Sequence, residues 1–377
     1  MEYVIGIDLG TSSIKALLVN EGGEVCREAV RELELIQERP GYSEQNPEQW
    51  VAQTIAAVNE LSSSVENHSI KGISFSGQMH GLVLLDAQGA PLRNAILWND
   101  TRTTEQCREI ERILGERLIT IAKNKALEGF TLPKLLWVKQ HEQRKFQEAR
   151  QFLLPKDYVR YRLTGKLHMD YSDAAGTLLL DVANRRWSTD ICEALAIPER
   201  LCPPLVDSAD FVGHLLPEVA AELGLSTETK VFAGGADNAC GALGAGIIAP
   251  GSTLCSVGTS GVLLSYHQKE EHDFQGKLHY FNHGMKDAWY VMGVTLAAGD
   301  SLSWFKKAFA DEVSFERLLE EMAEVPPGAR GLLFTPYIMG ERTPYADSAI
   351  RASFIGIDSS HRRLNLLGLF SKALLFR

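Results

Sequence analysis

Asp237 stands among small residues, in Ala233-Gly234-Gly235-Ala236-Asp237-Asn238-Ala239-Cys240-Gly241, just after Lys230-Val231-Phe232. The apolar run reads as a short buried strand, and the small residues after it as a tightly packed helix. Asp237 then falls at a helix start, where backbone N–H groups and the positive end of the helix dipole favour a carboxylate. Two readings of this stretch are open: an ordinary N-cap, or a carboxylate facing a ligand in the space the glycines leave. A second candidate is Asp8-Leu9-Gly10-Thr11-Ser12-Ser13. A glycine flanked by small hydroxyl residues lets backbone N–H groups converge on an anion. Asp8, at a strand end, is a carboxylate of the kind that holds magnesium directly or through its water shell. A plain polar hairpin turn is the alternative. Leu9-Gly10-Thr11-Ser12 returns late in the chain as Val257-Gly258-Thr259-Ser260, each between two apolar strands. The separation is too long for a solenoid repeat. It fits two similar lobes whose turns meet on one polyphosphate, with a chance match of four small residues as the alternative.

Further polar groups punctuate strand ends. Gln78 and His80, in Gly77-Gln78-Met79-His80-Gly81, sit between strands predicted at 70–76 and 82–85. A small polyhydroxylated ligand would find them there; a satisfied core histidine is the bland alternative. Ile96-Leu97-Trp98-Asn99-Asp100-Thr101-Arg102 is a buried strand ending in groups that meet sugars beside an aromatic face. Asp170-Tyr171-Ser172-Asp173-Ala174-Ala175-Gly176-Thr177 reads as a polar, small-residue loop bordering a site, and its two carboxylates suggest a metal only weakly.

The elements that must position these groups are legible in outline. Strands at 3–7 and 15–19 and a third after Glu21-Gly22-Gly23 form antiparallel hairpins opening a mixed sheet. Asn46-Pro47-Glu48-Gln49 is a helix start with a cap, a first-turn proline and capping-box spacing. Trp50, Val51, Ile55, Val58 and Leu61 continue it at the helical period toward a core. Helices are predicted at 103–114, 132–142, 156–163 and 218–223, and a helix start at 297–301. The 377 residues exceed one hydrophobic core, so two domains are expected. Lys+Arg 38 against Asp+Glu 48 gives a net charge of −10 with no basic run, which argues against nucleic-acid or membrane-surface binding. Six scattered cysteines without a C-x-x-C pair suggest free thiols in the cytoplasm. No apolar run is long enough to span a bilayer.

Taken together, these motifs resemble the FGGY carbohydrate kinases. The resemblance runs in order through Gly6-Ile7-Asp8-Leu9-Gly10-Thr11-Ser12, Ser43-Glu44-Gln45-Asn46-Pro47, Gly77–Gly81 and Trp98-Asn99-Asp100. It continues through Leu154-Pro155-Lys156-Asp157-Tyr158, 172–177, 234–241, 257–261 and Gly340-Glu341-Arg342-Thr343-Pro344. It implies an α/β, ribonuclease-H-like fold of two lobes, shared with actin and hexokinase, with sugar and ATP meeting in the cleft. The N-terminal sugar-binding lobe would be 1–246, and 247–377 part of the nucleotide-binding lobe.

By motif, the resemblance makes Asp237 the base facing the sugar hydroxyl and Asp8 the magnesium and phosphate carboxylate. Gly10, Thr11, Ser12 and Gly258, Thr259, Ser260 become phosphate turns, with Lys15 a weaker candidate. Met79 and His80 contact the sugar, with Gln78, Trp98, Asp100 and Asn238 as further candidates. The implied reaction is ATP- and Mg2+-dependent phosphorylation of a ketopentose, D-xylulose before ribulose, glycerol or gluconate. An actin-like ATPase is disfavoured by Gln78-Met79-His80 and Trp98-Asn99-Asp100. Family members run past this length, so the resemblance implies an incomplete second lobe ending at Phe376-Arg377, without an adenosine pocket. On that expectation the chain turns over ATP weakly or is a non-catalytic sugar-binding remnant, and a homodimer covers the exposed face.

Overall fold

The computed structural model describes every residue of the chain except 64, 269–273, 327, 346, 348 and 374–377. The expected ending Phe376-Arg377 therefore lies outside the described residues. The chain forms two compact units, one of Met1–Ala249, His267–Gly276 and Tyr280–Tyr290, the other of Pro250–Tyr266, Lys277–His279 and Val291–Arg377.

The first unit opens with strands β1 (Tyr3–Leu9), β2 (Ser13–Asn20) and β3 (Val25–Glu32), joined as antiparallel hairpins. Ile5, Ile7 and Leu9 turn inward on β1 while Val4, Gly6 and Asp8 stay exposed, the period-2 alternation of a sheet covered on one face. Helix α1 (Pro47–Ser62) covers that inner face, lying against β2 and β3. Its cap is the expected Asn46, whose Oδ1 accepts the Glu48 N–H at 3.0 Å and contributes about 1 kcal/mol. Gln49 does not complete the box: its Oε1 accepts from the Glu34 N–H at 3.1 Å. Trp50, Val58 and Leu61 are fully buried, as their spacing requires.

Strand β4 (Ile70–Gly77) runs parallel to β1. Among the helices that follow, the ones that position the site are α2 (Thr131–His141), α3 (Pro155–Thr164) and the short α4 (Tyr171–Ala175). The last is a correction, because 170–177 was expected to be a loop bordering a site. Asp170 caps α4 through the Ser172 N–H, and Asp170, Ser172 and Asp173 are completely buried. Cations from α3 make that burial tolerable, and no local pattern could show it. Strands β5 (Phe211–His214), β6 (Lys230–Phe232) and β7 (Gly235–Ala236) complete the sheet in the order β5-β6-β4-β1-β2-β3, with β7 also on β4. β6, β7, β4 and β1 are parallel, and helix α5 (Asp237–Gly244) begins where β7 ends.

In the second unit β8 (Thr253–Val257) and β9 (Gly261–His267) form another antiparallel hairpin. Helices α6 (Gly299–Phe309), α7 (Phe315–Ala323) and α8 (Arg363–Ala373) enclose a core of Phe305, Leu318, Met322, Leu367 and Phe370. Glu341, from the Gly/Pro-punctuated loop, is buried and accepts from Thr295 Oγ1 at 3.0 Å and the Leu296 N–H at 3.2 Å. Among the described residues no helix is long and apolar enough to cross a membrane.

Candidate active site

Parallel strands place their C-terminal ends together, and in open α/β sheets ligands bind beyond those ends. Asp8 pairs in register with Ser76 of β4, and Gly235 pairs with the same Ser76 from the other side. At ordinary strand spacing Asp8 and Gly235 are about 10 Å apart. Asp237, two residues on, therefore shares that edge with Asp8.

The backbone leading to Asp237 admits only glycine at 234. Its φ is +74°, and a side-chain carbon there would meet the Phe75 carbonyl oxygen at 2.2 Å. Asp237 is the first residue of α5 rather than its cap, which is Ala236. Its Oδ1 accepts from the Asn238 N–H at 2.6 Å and from Asn238 Nδ2 at 3.0 Å. Burial pushes the Asp237 carboxyl up to about 7, the Asn238 N–H opposes this, and the charge of Asp8 adds to it. A carboxyl titrating near neutrality is matched to proton transfer at physiological pH.

Asn238 Nδ2 also donates to Met79 Sδ at 3.5 Å. His80, with φ +70°, donates from Nδ1 to the Gly176 carbonyl at 2.6 Å, which in the neutral ring leaves Nε2 as the acceptor nitrogen. The His80 carbonyl is held in turn by Thr131 Oγ1 and Lys134 Nζ, each at 3.1 Å, and Lys134 also donates to the Gly129 carbonyl. Lys134 is completely buried, and that burial brings its ammonium down to about 7. Sequence reasoning missed it. The signal was a cation inside the apolar stripe Leu132, Leu135, Leu136 and Val138.

The structure thus gathers Asp237, Asn238, Met79 and His80 into one cluster and sets Asp8 beside it. Gln78, Trp98 and Thr11 belong to a different one. Gln78 is buried, and its Nε2 donates to the Gly10 carbonyl and Gln45 Oε1, both at 3.1 Å, while its Oε1 accepts from Thr11 Oγ1 at 3.1 Å. Trp98 Nε1–H donates to Thr11 Oγ1 at 2.9 Å with its ring part exposed. Gln78 is thereby a brace for the Gly10-Thr11-Ser12 turn, its amide committed to protein partners. Asp100 is likewise committed. Its buried carboxylate takes the Ser43 N–H at 2.6 Å and Arg102 at 2.6 and 2.9 Å, and the Arg102 guanidinium lies over the Tyr42 ring. Lys15 faces Asp8 in register across the hairpin and pairs with Glu28 at 3.0 Å on the exposed side.

Each glycine–hydroxyl segment is a hairpin turn, as its echo suggested. Gly10 N–H closes on the Ser13 carbonyl at 3.0 Å, and Gly258 N–H on the Ser260 carbonyl at 2.9 Å. In the second unit the carbonyls of Gly258 and Thr259 accept from the start of α6, through the Gly299 and Ala298 N–H groups. This leaves Gly258, Thr259 and Ser260 exposed at the turn. Among the described residues the one metal-like carboxylate group is Asp157, Asp170 and Asp173, and the Lys156 ammonium sits on it.

Residues 3–244 match the N-terminal domain of the FGGY family of carbohydrate kinases, and residues 253–375 match its C-terminal domain. The chain belongs to this family. It is 60% identical to the xylulose kinase of Bacillus subtilis strain 168, over 100% of this chain and 76% of that protein. A xyloylose kinase crystal structure from Brucella ovis matches with TM-score 0.93 at 38% identity, over 100% of this chain and 77% of that one. The gluconate kinase of Lactobacillus acidophilus matches with TM-score 0.95 at 25% identity, over 100% and 76%. The two-lobed α/β fold of these FGGY kinases is therefore the fold of this chain, and it serves enzymes named for different substrates.

Proposed function

We propose that this chain transfers the γ-phosphoryl group of ATP to D-xylulose, giving D-xylulose 5-phosphate, with Asp237 as the base. The single observation that carries this reading is the Asp237 cluster: a carboxyl raised to about 7 at a sheet edge, joined through Asn238 to Met79 and sharing that edge with Asp8. The 60% identity to a protein named xylulose kinase supports the choice of sugar.

In this mechanism the sugar hydroxyl oxygen forms the new bond to the γ-phosphorus as the bond to the bridging oxygen breaks and ADP leaves. The hydroxyl proton passes to Asp237. Phosphoryl transfer asks mainly for positioning and charge stabilisation, and a placed base contributes about 10² to 10⁴ in rate. Met79 and His80 orient the sugar, His80 through the tautomer that Gly176 fixes. The Gly10-Thr11-Ser12 turn, on the same hairpin as Asp8, offers the exposed Ser12 hydroxyl to the phosphates. Asp8 is an exposed, hard oxygen donor beside Ser12 and Thr11, which fits magnesium. When bound, the ion supplies charge neutralisation to the phosphate oxygens. The cytoplasm, where ATP is abundant, is the compartment this reading assigns.

ADP release, measured with xylulose, ribulose, glycerol and gluconate, tests the assignment. The expected result is the highest kcat/KM with xylulose. A higher value with gluconate, or no response to any sugar, would overturn it.

A further inference from the structure

The polar stretch 170–177 does not border open space, yet it reaches Asp237 through the interior. Lys156 Nζ donates to Asp157 Oδ1 at 2.7 Å and forms ion pairs with Asp170 Oδ1 at 2.7 Å and Asp173 Oδ2 at 2.9 Å, all completely buried. Arg160 adds a bond to Asp157 Oδ1 at 2.9 Å. Burial raises the Asp170 carboxyl, but Lys156 and the hydrogen bonds outweigh it and hold the group below its ordinary value. Asp170 is therefore a fixed anion. Its Oδ2 accepts from the Ser172 N–H at 2.9 Å, Ser172 Oγ at 2.5 Å and Ser208 Oγ at 2.8 Å.

That anion dictates the direction of one hydroxyl. Because Ser172 spends its proton on Asp170, its oxygen turns a lone pair outward, and the Ala236 N–H donates to it at 2.9 Å. At the other end of the same short segment, Arg160 Nη1 donates to the Ala233 carbonyl at 2.7 Å. Residues 233 and 236 are thus both moored to one buried charge cluster. Gly234 and Gly235 between them carry no side chains that packing could hold. A buried ion cluster is a poor source of stability relative to apolar packing. What this cluster delivers is a fixed acceptor for the peptide N–H one residue before Asp237.

We propose that Ser172, oriented by Asp170, is a positioning residue that sets the direction of the Asp237 carboxylate. The proposal rests on the reading of Asp237 as the base. Its test is single-turnover phosphoryl transfer to xylulose in Ser172→Ala, Asp237→Ala and the double variant, with circular dichroism and melting to establish folding.

Ser172→Ala is expected to lower the rate roughly 10- to 100-fold with sugar KM within about threefold, the mark of misplaced rather than lost chemistry. In the Asp237→Ala background the same change is expected to cost less than about twofold, since the group it positions is gone. Ser208→Ala, which removes one donor to Asp170 and leaves Ser172 in place, is expected to lower the rate by about 2- to 5-fold at unchanged KM. It decides the matter if Ser172→Ala does not fold. Wild-type rates in both serine variants, with Asp237→Ala slowed by about 10² or more, overturn the positioning role and leave the base standing. Equal losses from Ser172→Ala in both backgrounds also overturn it. Full turnover by Asp237→Ala removes the base and this proposal together.

Discussion

Asp237→Asn is expected to raise stability above pH 7 while removing turnover. In the unfolded chain an aspartate titrates near 3.8, whereas in the folded protein this one titrates near 7, through burial first and the Asp8 charge in addition. Below about pH 4 both states hold the proton, and the residue costs nothing. As pH rises from about 4 to 7 the unfolded chain releases its proton and the folded chain retains it, so folding stability falls; above about 7 the loss is complete. Three decades at about 1.4 kcal/mol each set a ceiling of about 4 kcal/mol. The side chain is mostly buried and keeps a minor part of its surface in solvent, and screening there brings the figure to about 2 kcal/mol. Asparagine removes the charge and keeps the oxygen that accepts from the Asn238 N–H. With an unfolding entropy of about 0.8 kcal/mol/K for a chain of this size, 2 kcal/mol corresponds to a rise in Tm of about 3 °C. Melting curves of both proteins at steps from pH 4 to 9 measure it. A difference that stays flat across that range, or a variant melting below the wild type at pH 9, would refute the reasoning.

Two further outcomes follow from the same geometry. Asp8→Asn removes a negative charge at the sheet edge it shares with Asp237, one that adds to the raised Asp237 value, so the acidic limb of kcat/KM is expected to move down from about 7 by roughly 0.3 to 1 pH unit; an upward or absent shift counts against the shared edge. Gly234→Ala forces a side chain into a positive-φ position beside the Phe75 carbonyl, and a loss of at least about 3 kcal/mol is expected from the urea midpoint. A midpoint equal to the wild type's would mean that the segment before Asp237 can rearrange freely.

Much of the frame was readable one short stretch at a time. The β1–β2 hairpin, Asn46 as a cap, the Trp50–Leu61 stripe and the strand before Asp237 follow from period, turn chemistry and capping, all set by near neighbours. The recurring Gly-Thr-Ser turn was equally local, and both copies are hairpins. Asp100 and Gln78 show where local reading stops. Both have the residue types of a sugar site, and both are occupied by partners from other elements, Asp100 by Ser43 and Gln78 by Gln45 and Gly10.

The amino-acid sequence by itself determined the alternation of strands and helices, the family pattern of polar turns, and the candidate carboxylates Asp8 and Asp237. Only the tertiary structure decided which polar groups line the sheet edge and which disappear into the interior. It also revealed Lys134 beneath His80, and Lys156, Asp170 and Ser172 behind Asp237. The physical reason is that burying a charge depends on partners far away in the chain, and these meet only once the sheet and its covering helices are assembled.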